Sequence, residues 1–135
     1  MTLLQMTAAE LMTPNPILIA AGATLRAAAL LMGQQRIHCL IVPGDAGRNV
    51  GVITSTDIVN VLANSDPTVL DRLQVKDAQT SPALTVEEGA TLADCLRLMQ
   101  KAGIPSVPVM RGTDPIGILS YTDVLRAAVK GPFTT

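Results

Sequence analysis

Two short stretches of this sequence each place a hydroxyl side chain after an apolar run and a carboxylate three residues later. They read Gly51-Val52-Ile53-Thr54-Ser55-Thr56-Asp57 and Gly117-Ile118-Leu119-Ser120-Tyr121-Thr122-Asp123. At a helix start, such a pair caps backbone N–H groups that have no partner in the helix. The same corner can bind a ligand, because helix N-termini attract phosphate and a carboxylate accepts hydrogen bonds from ribose hydroxyls. The preceding glycine allows another backbone or a flat base to approach closely.

These two stretches belong to an internal duplication. Shifting the chain by 67 residues aligns Gly22–Leu25 with Gly89–Leu92, and both segments read Gly-Ala-Thr-Leu. Past the turn-forming residues 44–47 and 111–114 the shift becomes 66 residues, as expected where a surface turn has lost one residue. The chain therefore contains two consecutive copies of one small unit.

Each copy predicts the element order β-α-β-β-α from its apolar periodicity and turn residues. Thr24 and Thr91 are the predicted N-caps of the first helices. One unit of about 55 to 60 residues buries little surface by itself, so we expect an α/β (α+β) fold with two copies packed sheet to sheet. In the first copy the predicted helices end at Gln35 and Ala63, and the predicted strands are Pro16–Ile19, Ile37–Pro43 and Val50–Thr54. In the second copy the predicted helices end at Ala102 and Lys130, and the predicted strands are Ala83–Val86, Ile104–Met110 and Ile116–Ser120.

The composition argues against several classes of protein. Ten basic and eleven acidic residues nearly cancel, and one Tyr, one Phe and no Trp leave few stacking surfaces, so nucleic acid is not an expected partner. The apolar runs are too short and interrupted for a membrane span, and the N-terminus has no basic region typical of a signal peptide. Cys39 and Cys95 are isolated in a chain with one His, which predicts no metal site and a cytoplasmic location.

The arrangement resembles a tandem pair of cystathionine β-synthase (CBS) domains, a Bateman module. The resemblance rests on Leu-Met-Thr-Pro-Asn-Pro at residues 11–16, on the two Gly-h-h-Thr/Ser-x-x-Asp patterns ("h" is apolar), and on their matched spacing. It implies one standalone module over residues 1–135 with pseudo-two-fold symmetry. The implied repeats are residues 6–63 and 75–130, joined by a linker at 64–74 in which Ser65-Asp66-Pro67 starts a helical turn.

The resemblance also implies a regulatory function and no catalysis. The expected ligand is AMP, ADP, ATP or a compound like S-adenosylmethionine, held between the repeats, with no required cofactor or metal. Its binding would alter packing that an effector protein reads, and a homodimer is expected. One implied cleft uses Val52, Thr54, Thr56, Asp57, Thr80, Leu84 and Ile104, and the other uses Thr13, Ile17, Ile37, His38, Ile118, Ser120, Thr122 and Asp123. In the family the two aspartates hold ribose, and Thr54 and Ser120 hold phosphate or its surroundings.

The copies differ in charge near the expected clefts. Arg36-Ile37-His38 in the first aligns with Gly103-Ile104-Pro105 in the second. If Arg36 and His38 line the Asp123 cleft, a phosphorylated ligand should prefer that cleft. The Asp57 cleft would then be empty or take an uncharged or cationic adenosyl compound.

A second hypothesis is a structural module whose Thr/Ser-x-x-Asp pairs only cap helices. Apolar side chains on the closing helices would then form a homodimer with two-fold symmetry. A catalytic pair of His38 and Cys39 is not expected, because neighbours on a strand point to opposite faces. Arg126 is explained by the helix dipole. The predicted dimer surface contains Ile58, Val59, Leu62, Val124, Leu125 and Ala128.

Overall fold

The structure is a computed structural model that describes residues 2–45 and 49–131. It contains two compact units. Unit 1 combines the residues up to Pro16 with those from Leu84 onward, and unit 2 is Ile17–Ala83. Residues 46–48, in the predicted turn of the first copy, lie outside the described residues.

Both units are mixed α/β structures. Unit 2 contains α2 (Leu25–Gln35), β2 (Cys39–Val42), β3 (Gly51–Thr54), α3 (Ser55–Ala63), α4 (Val69–Arg72) and α5 (Val75–Ala78). Unit 1 contains a 3₁₀ turn (Leu3–Gln5), α1 (Ala8–Leu11), β1 (Thr13–Pro14), β4 (Val86–Glu87), α6 (Leu92–Ala102), β5 (Ser106–Arg111), β6 (Asp114–Ser120) and α7 (Tyr121–Lys130). No helix in these described ranges is long and apolar enough to cross a membrane.

The long helices α2 and α6 begin and end where the sequence predicts. The Thr24 hydroxyl accepts a hydrogen bond from the Ala27 N–H at 3.1 Å, and the Thr91 hydroxyl accepts one from the Asp94 N–H at 3.2 Å. Both helices terminate in a left-handed residue, which is Arg36 (φ 54°) in one and Gly103 (φ 69°) in the other. Since only glycine adopts this conformation without steric cost, the first copy carries backbone strain at Arg36 that the second avoids.

The sheets form around the two predicted hairpins. In unit 2, β2 and β3 pair antiparallel, and in unit 1 the strand order is β1-β6-β5-β4, with β4 parallel to β5. The leading strands are shorter than expected. Pro16–Ile19 contributes only a bridge from Leu18 to Ile41, and Ala83–Val86 is replaced by Val86–Glu87. Proline lacks the N–H that would extend the first of these ladders.

Each unit has its own apolar core, and Leu25 and Leu92 of the repeated tetrapeptide are fully buried in them. Ile58, predicted to face a dimer partner, is instead 4% exposed because it packs inside unit 2. The buried residues are Ala8, Leu11, Val86, Leu92, Cys95, Met99, Val107, Val109 and Leu119 in unit 1, and Ile19, Leu25, Ala28, Met32, Leu40, Val42, Ile53, Ile58 and Val75 in unit 2.

The leading segment of each copy belongs to the unit built mainly from the other copy. Near the N-terminus, the Ala8 N–H donates to the Ala90 carbonyl at 2.8 Å. At the corresponding place in unit 2, the Val75 N–H donates to the Ala23 carbonyl, also at 2.8 Å. The compact units therefore have different boundaries from the duplicated sequence, for which the predicted limits remain residues 6–63 and 75–130.

The short capped helices α1 and α5 lie near the starts of these two segments, and α4 lies in the linker before the second one. The predicted capping box at Thr7 is confirmed, since its hydroxyl accepts from the Glu10 N–H and the Glu10 carboxylate accepts from the Thr7 N–H. In the linker, a hydrogen-bonded turn starts at Asp66, as predicted, since the Asp66 carbonyl accepts from the Val69 N–H at 3.0 Å, and α4 follows from Val69. The Asp66 carboxylate accepts from the Thr68 N–H at 2.8 Å and so caps the start of this turn.

Candidate functional site

Two strand-to-helix corners carry the predicted site residues, and no loop separates strand from helix in either. Strand β3 ends at Thr54 and α3 begins at Ser55, while β6 ends at Ser120 and α7 begins at Tyr121. Each hydroxyl residue is thus the N-cap of a helix, as predicted. Because strand and helix join directly, the free N–H groups of the first helical turn and the capping carboxylate lie together at the corner.

Gly51 at the start of β3 and Gly117 inside β6 allow a neighbouring backbone to approach, as predicted. A Cβ placed on Gly117 would lie 2.8 Å from the Thr13 carbonyl oxygen, and one on Gly51 would lie 3.1 Å from the Thr80 carbonyl oxygen. Thr13 and Thr80 therefore take equivalent positions in the two units. Thr13 pairs with Ile118 in β1–β6, and Thr80 forms an isolated bridge with Val52.

The Asp57 corner is a capping box with one carboxylate oxygen available. Asp57 Oδ2 accepts hydrogen bonds from the Thr54 N–H at 2.8 Å and from the Thr54 hydroxyl at 3.0 Å. The Asp57 N–H donates back to Thr54 Oγ1 at 3.3 Å. Within the described residues, no donor forms a hydrogen bond to Asp57 Oδ1. The side chain is partly exposed, so this oxygen is open to another donor.

The Asp123 corner contains the same capping box with two further donors. Asp123 Oδ2 accepts from the Ser120 N–H at 2.8 Å and from the Ser120 hydroxyl at 2.9 Å. Asp123 Oδ1 accepts from the Thr13 hydroxyl at 2.8 Å and from Arg126 Nη1 at 3.1 Å. The Asp123 side chain is only 4% exposed. Its charge is thus compensated within unit 1.

The Arg126 contact at this corner is a feature that the sequence interpretation missed. The helix dipole alone was its sequence-based explanation, whereas the structure shows Arg126 paired with Asp123 three residues earlier on α7. This i,i+3 spacing of opposite charges was the available signal. The aligned position in the first copy is Asn60, which provides no cation.

The remaining predicted residues fall in both units. Ile17, Ile37 and His38 belong to unit 2 with Asp57, while Leu84 and Ile104 belong to unit 1 with Asp123. Their predicted grouping across the copies stays a prediction. Within their own units, Val52 and Ile118 lie on the strands that precede the corners and are partly exposed, and Thr56 and Thr122 are exposed on the first turns of α3 and α7.

A cavity of about 310 Å³ in unit 2 lies beside the start of α3. The His38 carbonyl accepts a hydrogen bond from the Ser55 N–H at 2.9 Å, which holds this cavity next to the Thr54 cap. Arg36 and His38 are both exposed, so unit 2 holds the Arg36 cation close to its own corner. The cavity is lined by Met32, Gly33, Arg36, Ile37, His38 and Ser55.

Other ionisable groups lie apart from the two corners. Hydrogen bonds from Arg26 and Arg111 hold the pKa values of Asp71 and Glu88 below their usual range, at exposed ion pairs. Burial raises the pKa of the Cys95 thiol, so this cysteine is a core residue with low reactivity. In the described ranges 2–45 and 49–131, no cluster of three His, Cys, Asp or Glu side chains is arranged to hold a metal ion.

The chain belongs to the CBS domain family, whose pattern matches residues 8–64 and again residues 75–130. The two compact units, the duplicated corners and this double match define a tandem CBS pair. An uncharacterized protein of Methanocaldococcus jannaschii is 29% identical over 128 residues, a match that covers 87% of this chain and 30% of that protein. The chain therefore spans less than a third of that relative.

Solved structures of CBS proteins share the fold. The hexameric CBS-CP12 protein from bloom-forming cyanobacteria is 29% identical with a TM-score of 0.83, and the match covers 96% of this chain and 76% of that one. The protein CBSX2, solved in complex with AMP, is 26% identical with a TM-score of 0.77. That match covers 92% of this chain and 96% of CBSX2.

Proposed function

We propose that this chain is a regulatory module that binds an adenosine-containing ligand at a strand-to-helix corner. The ligand class is AMP, ADP, ATP or an adenosyl compound such as S-adenosylmethionine. The observation that carries the proposal is the open Oδ1 of Asp57 beside the N-terminus of α3. The complex of CBSX2 with AMP, at 26% identity over nearly the whole chain, supports the ligand class.

The corner offers each chemical group that such a ligand needs. A carboxylate oxygen accepts hydrogen bonds from ribose hydroxyls, and the N–H groups of a helix start favour phosphate. Partly exposed aliphatic side chains, Val52 and Ile118, provide apolar contact for a base on the strand beside each aspartate. We propose that Leu84 and Ile104 complete the Asp57 cleft, and that Ile17, Ile37 and His38 complete the Asp123 cleft.

The proposed mechanism is a shift in packing and involves no chemical reaction. A ligand held by residues of both copies favours the arrangement in which they are close, and an effector protein reads that arrangement. The module needs no cofactor for this role. We place it in the cytoplasm on the basis of its isolated cysteines.

Equilibrium unfolding of the full chain with and without ligand tests this proposal. Adenosine, AMP, ADP, ATP and S-adenosylmethionine are added at up to about 100 times the dissociation constant, where a bound ligand raises the unfolding free energy by about 2.7 kcal/mol. If the ribose diol is recognised, 2′-deoxyadenosine should bind about tenfold or more weakly than adenosine. No stabilisation by any of the five compounds contradicts the proposal.

The matched control variant is Asp94→Asn. Asp94 follows Thr91 with the same Thr-x-x-Asp spacing, but its side chain is 64% exposed and pairs with Arg97 on α6. Ligand binding should be unchanged in this variant. Asp57→Asn, which removes the charge of the proposed ribose acceptor, should weaken binding, and an equal weakening in Asp94→Asn would show a nonspecific effect of removing a capping charge.

The alternative is a module that serves only for association. Exposed apolar side chains on α3 and α7 favour it, namely Val59 at 58%, Leu125 at 65% and Val129 at 87% exposure. Both capping boxes are complete without ligand, as this alternative requires. A homodimer is compatible with both functions, so the ligand titration and not the oligomeric state distinguishes them.

A further inference from the structure

We propose that the two corners are unequal, with the Asp57 corner taking the ribose diol and Arg126 keeping the Asp123 corner closed to it. This inference rests on the proposed function and adds which corner is used and which residue decides. It assigns a specificity-determining role to one helix position, occupied by Asn60 in the first copy and by Arg126 in the second.

The difference begins with the hydrogen-bonding capacity of a carboxylate. Two oxygens provide about four acceptor positions. Around Asp123, four donor contacts fill them: two from Ser120, one from Thr13 and one from Arg126. Around Asp57, the described residues supply two donor contacts, both from Thr54 and both to Oδ2. A ribose hydroxyl therefore finds a vacant acceptor at Asp57 and none at Asp123.

A diol that binds at Asp123 must first displace an existing donor. Displacing Thr13 breaks its 2.8 Å hydrogen bond to Asp123, whose side chain is 4% exposed. Displacing Arg126 removes the cation that compensates a buried carboxylate, which is costly in a site of low dielectric constant. Neither step is needed at Asp57, so the same ligand should bind more tightly at Asp57 than at Asp123.

The position three residues after each aspartate accounts for much of the difference. Both positions lie on the first two turns of the closing helices, where an i,i+3 contact to the carboxylate is within reach. Arg126 makes this contact at 3.1 Å, with its own side chain 57% exposed. Asn60 is also exposed, and its backbone carbonyl accepts a hydrogen bond from the Asn64 side-chain amide. Exchanging the two residues should therefore make Asp57 less available and Asp123 more available, although Thr13 still donates to Asp123.

The charges and the hydrogen bonds of this chain favour different corners. The sequence predicts that phosphate prefers the Asp123 cleft because of Arg36 and His38, whereas the hydrogen bonds favour ribose at Asp57. Both Arg36 and His38 belong to the unit that holds Asp57. Adenosine carries the diol without the phosphate, so it is the probe that separates these two effects.

Calorimetric titration of the full chain with adenosine tests the inequality. Asp57→Asn should weaken binding by about tenfold or more, because the open charged acceptor is lost while the amide oxygen still fits the cap. Asp123→Asn should change the affinity by less than about twofold, a difference smaller than a typical surface contact contributes. Equal losses in the two variants, or a larger loss at Asp123, overturn the inference.

The residue exchange tests the role of Arg126 directly. Asn60→Arg places a guanidinium beside Asp57 and should weaken adenosine binding about twofold to fivefold, the range expected for an exposed ion pair. Arg126→Asn should open Asp123 and add a second, weaker adenosine site to the stoichiometry. Arg126→Lys keeps a cation and should retain the wild-type stoichiometry. Asn60 is exposed, so Asn60→Arg should leave the unfolding free energy nearly unchanged, whereas Arg126→Asn should lower it because the Asp123 carboxylate loses its cation. Circular dichroism verifies that both variants are folded.

The outcomes separate the two claims. If neither wild type nor any variant binds adenosine or a nucleotide, the proposed function fails, and the inference fails with it. If adenosine binds but Arg126→Asn leaves the stoichiometry unchanged and Asn60→Arg leaves the affinity unchanged, the function stands and the role of this helix position is wrong.

Discussion

The Asp57 and Asp123 corners have the same residue pattern and the same capping box, yet their carboxylates have different surroundings. In unit 2 the aspartate contacts only Thr54 among the described donors, while in unit 1 Asp123 also receives Thr13 and Arg126. A duplicated motif thus fixes the backbone and the cap of both corners. Contacts from residues outside the motif determine whether the carboxylate is available to a ligand.

A similar contrast is found at the helix that precedes the hairpin in each copy. The helices before the hairpins end in left-handed residues, one an arginine and the other a glycine. The backbone geometry is preserved, but the first copy accepts strain at Arg36, where it gains a cation beside the cavity next to α3. Strain that persists at one copy only is consistent with a function specific to that copy.

The largest expected difference between the corners comes from their glycines. Gly117→Ala should destabilise the protein by about 2–3 kcal/mol, because the new Cβ would meet the Thr13 carbonyl and the Met12 side chain. Gly51→Ala should cost about 1 kcal/mol, since the Thr80 carbonyl lies farther away and the Gln79 side chain can move aside. Urea unfolding monitored by circular dichroism measures both.

Gly33→Ala is the control for the glycine variants. Gly33 lies inside α2, and a Cβ added there would meet no atom within 4 Å, so alanine should stabilise the protein by about 0.5–1 kcal/mol through helix propensity. An equal cost for Gly51→Ala and Gly117→Ala would contradict the closer backbone approach at Thr13.

The next difference concerns the aspartates themselves. Asp123→Ala should destabilise by about 2 kcal/mol, because it removes the acceptor of four donor contacts in a buried place. Asp57→Ala should destabilise by about 1 kcal/mol, the usual contribution of a helix cap. The same unfolding experiment, with Asp94→Ala as the exposed control, compares them. A larger cost at Asp57 would show that its carboxylate is held by more than its cap.

The smallest expected effect is at the left-handed helix ends. Arg36→Gly should stabilise by about 0.5–1 kcal/mol by relieving strain, and Gly103→Ala should destabilise by about 1 kcal/mol by creating it. Thermal unfolding resolves these shifts. If Arg36→Gly destabilises instead, the arginine makes a contact whose strength exceeds the strain.

Local features of this fold could be predicted from the sequence because they depend on neighbours in the chain. The caps at Thr24 and Thr91, the ends of α2 and α6 and both hairpins follow from residues a few positions apart. The caps at Thr54 and Ser120 likewise require only the residues three positions later. These elements carry the candidate site, so its location was predictable.

The features that residue patterns alone did not reveal depend on distant contacts. The buried position of Ile58 depends on the core of unit 2. Only the family resemblance groups Thr13 with Asp123, and the hydrogen bond between them depends on the pairing of β1 with β6. The contact of Arg126 competes with a helix-dipole explanation that fits the same sequence. The filled acceptors of Asp123 and the open oxygen of Asp57 therefore emerge only in the folded chain.

A crystal structure of the full chain soaked with adenosine tests the central claim most directly. The account predicts ribose hydroxyls within about 2.5–3.0 Å of Asp57 Oδ1, with Asp123 still bound to Thr13 and Arg126. Ribose beside Asp123 with Arg126 displaced, and no ligand beside Asp57, would contradict it.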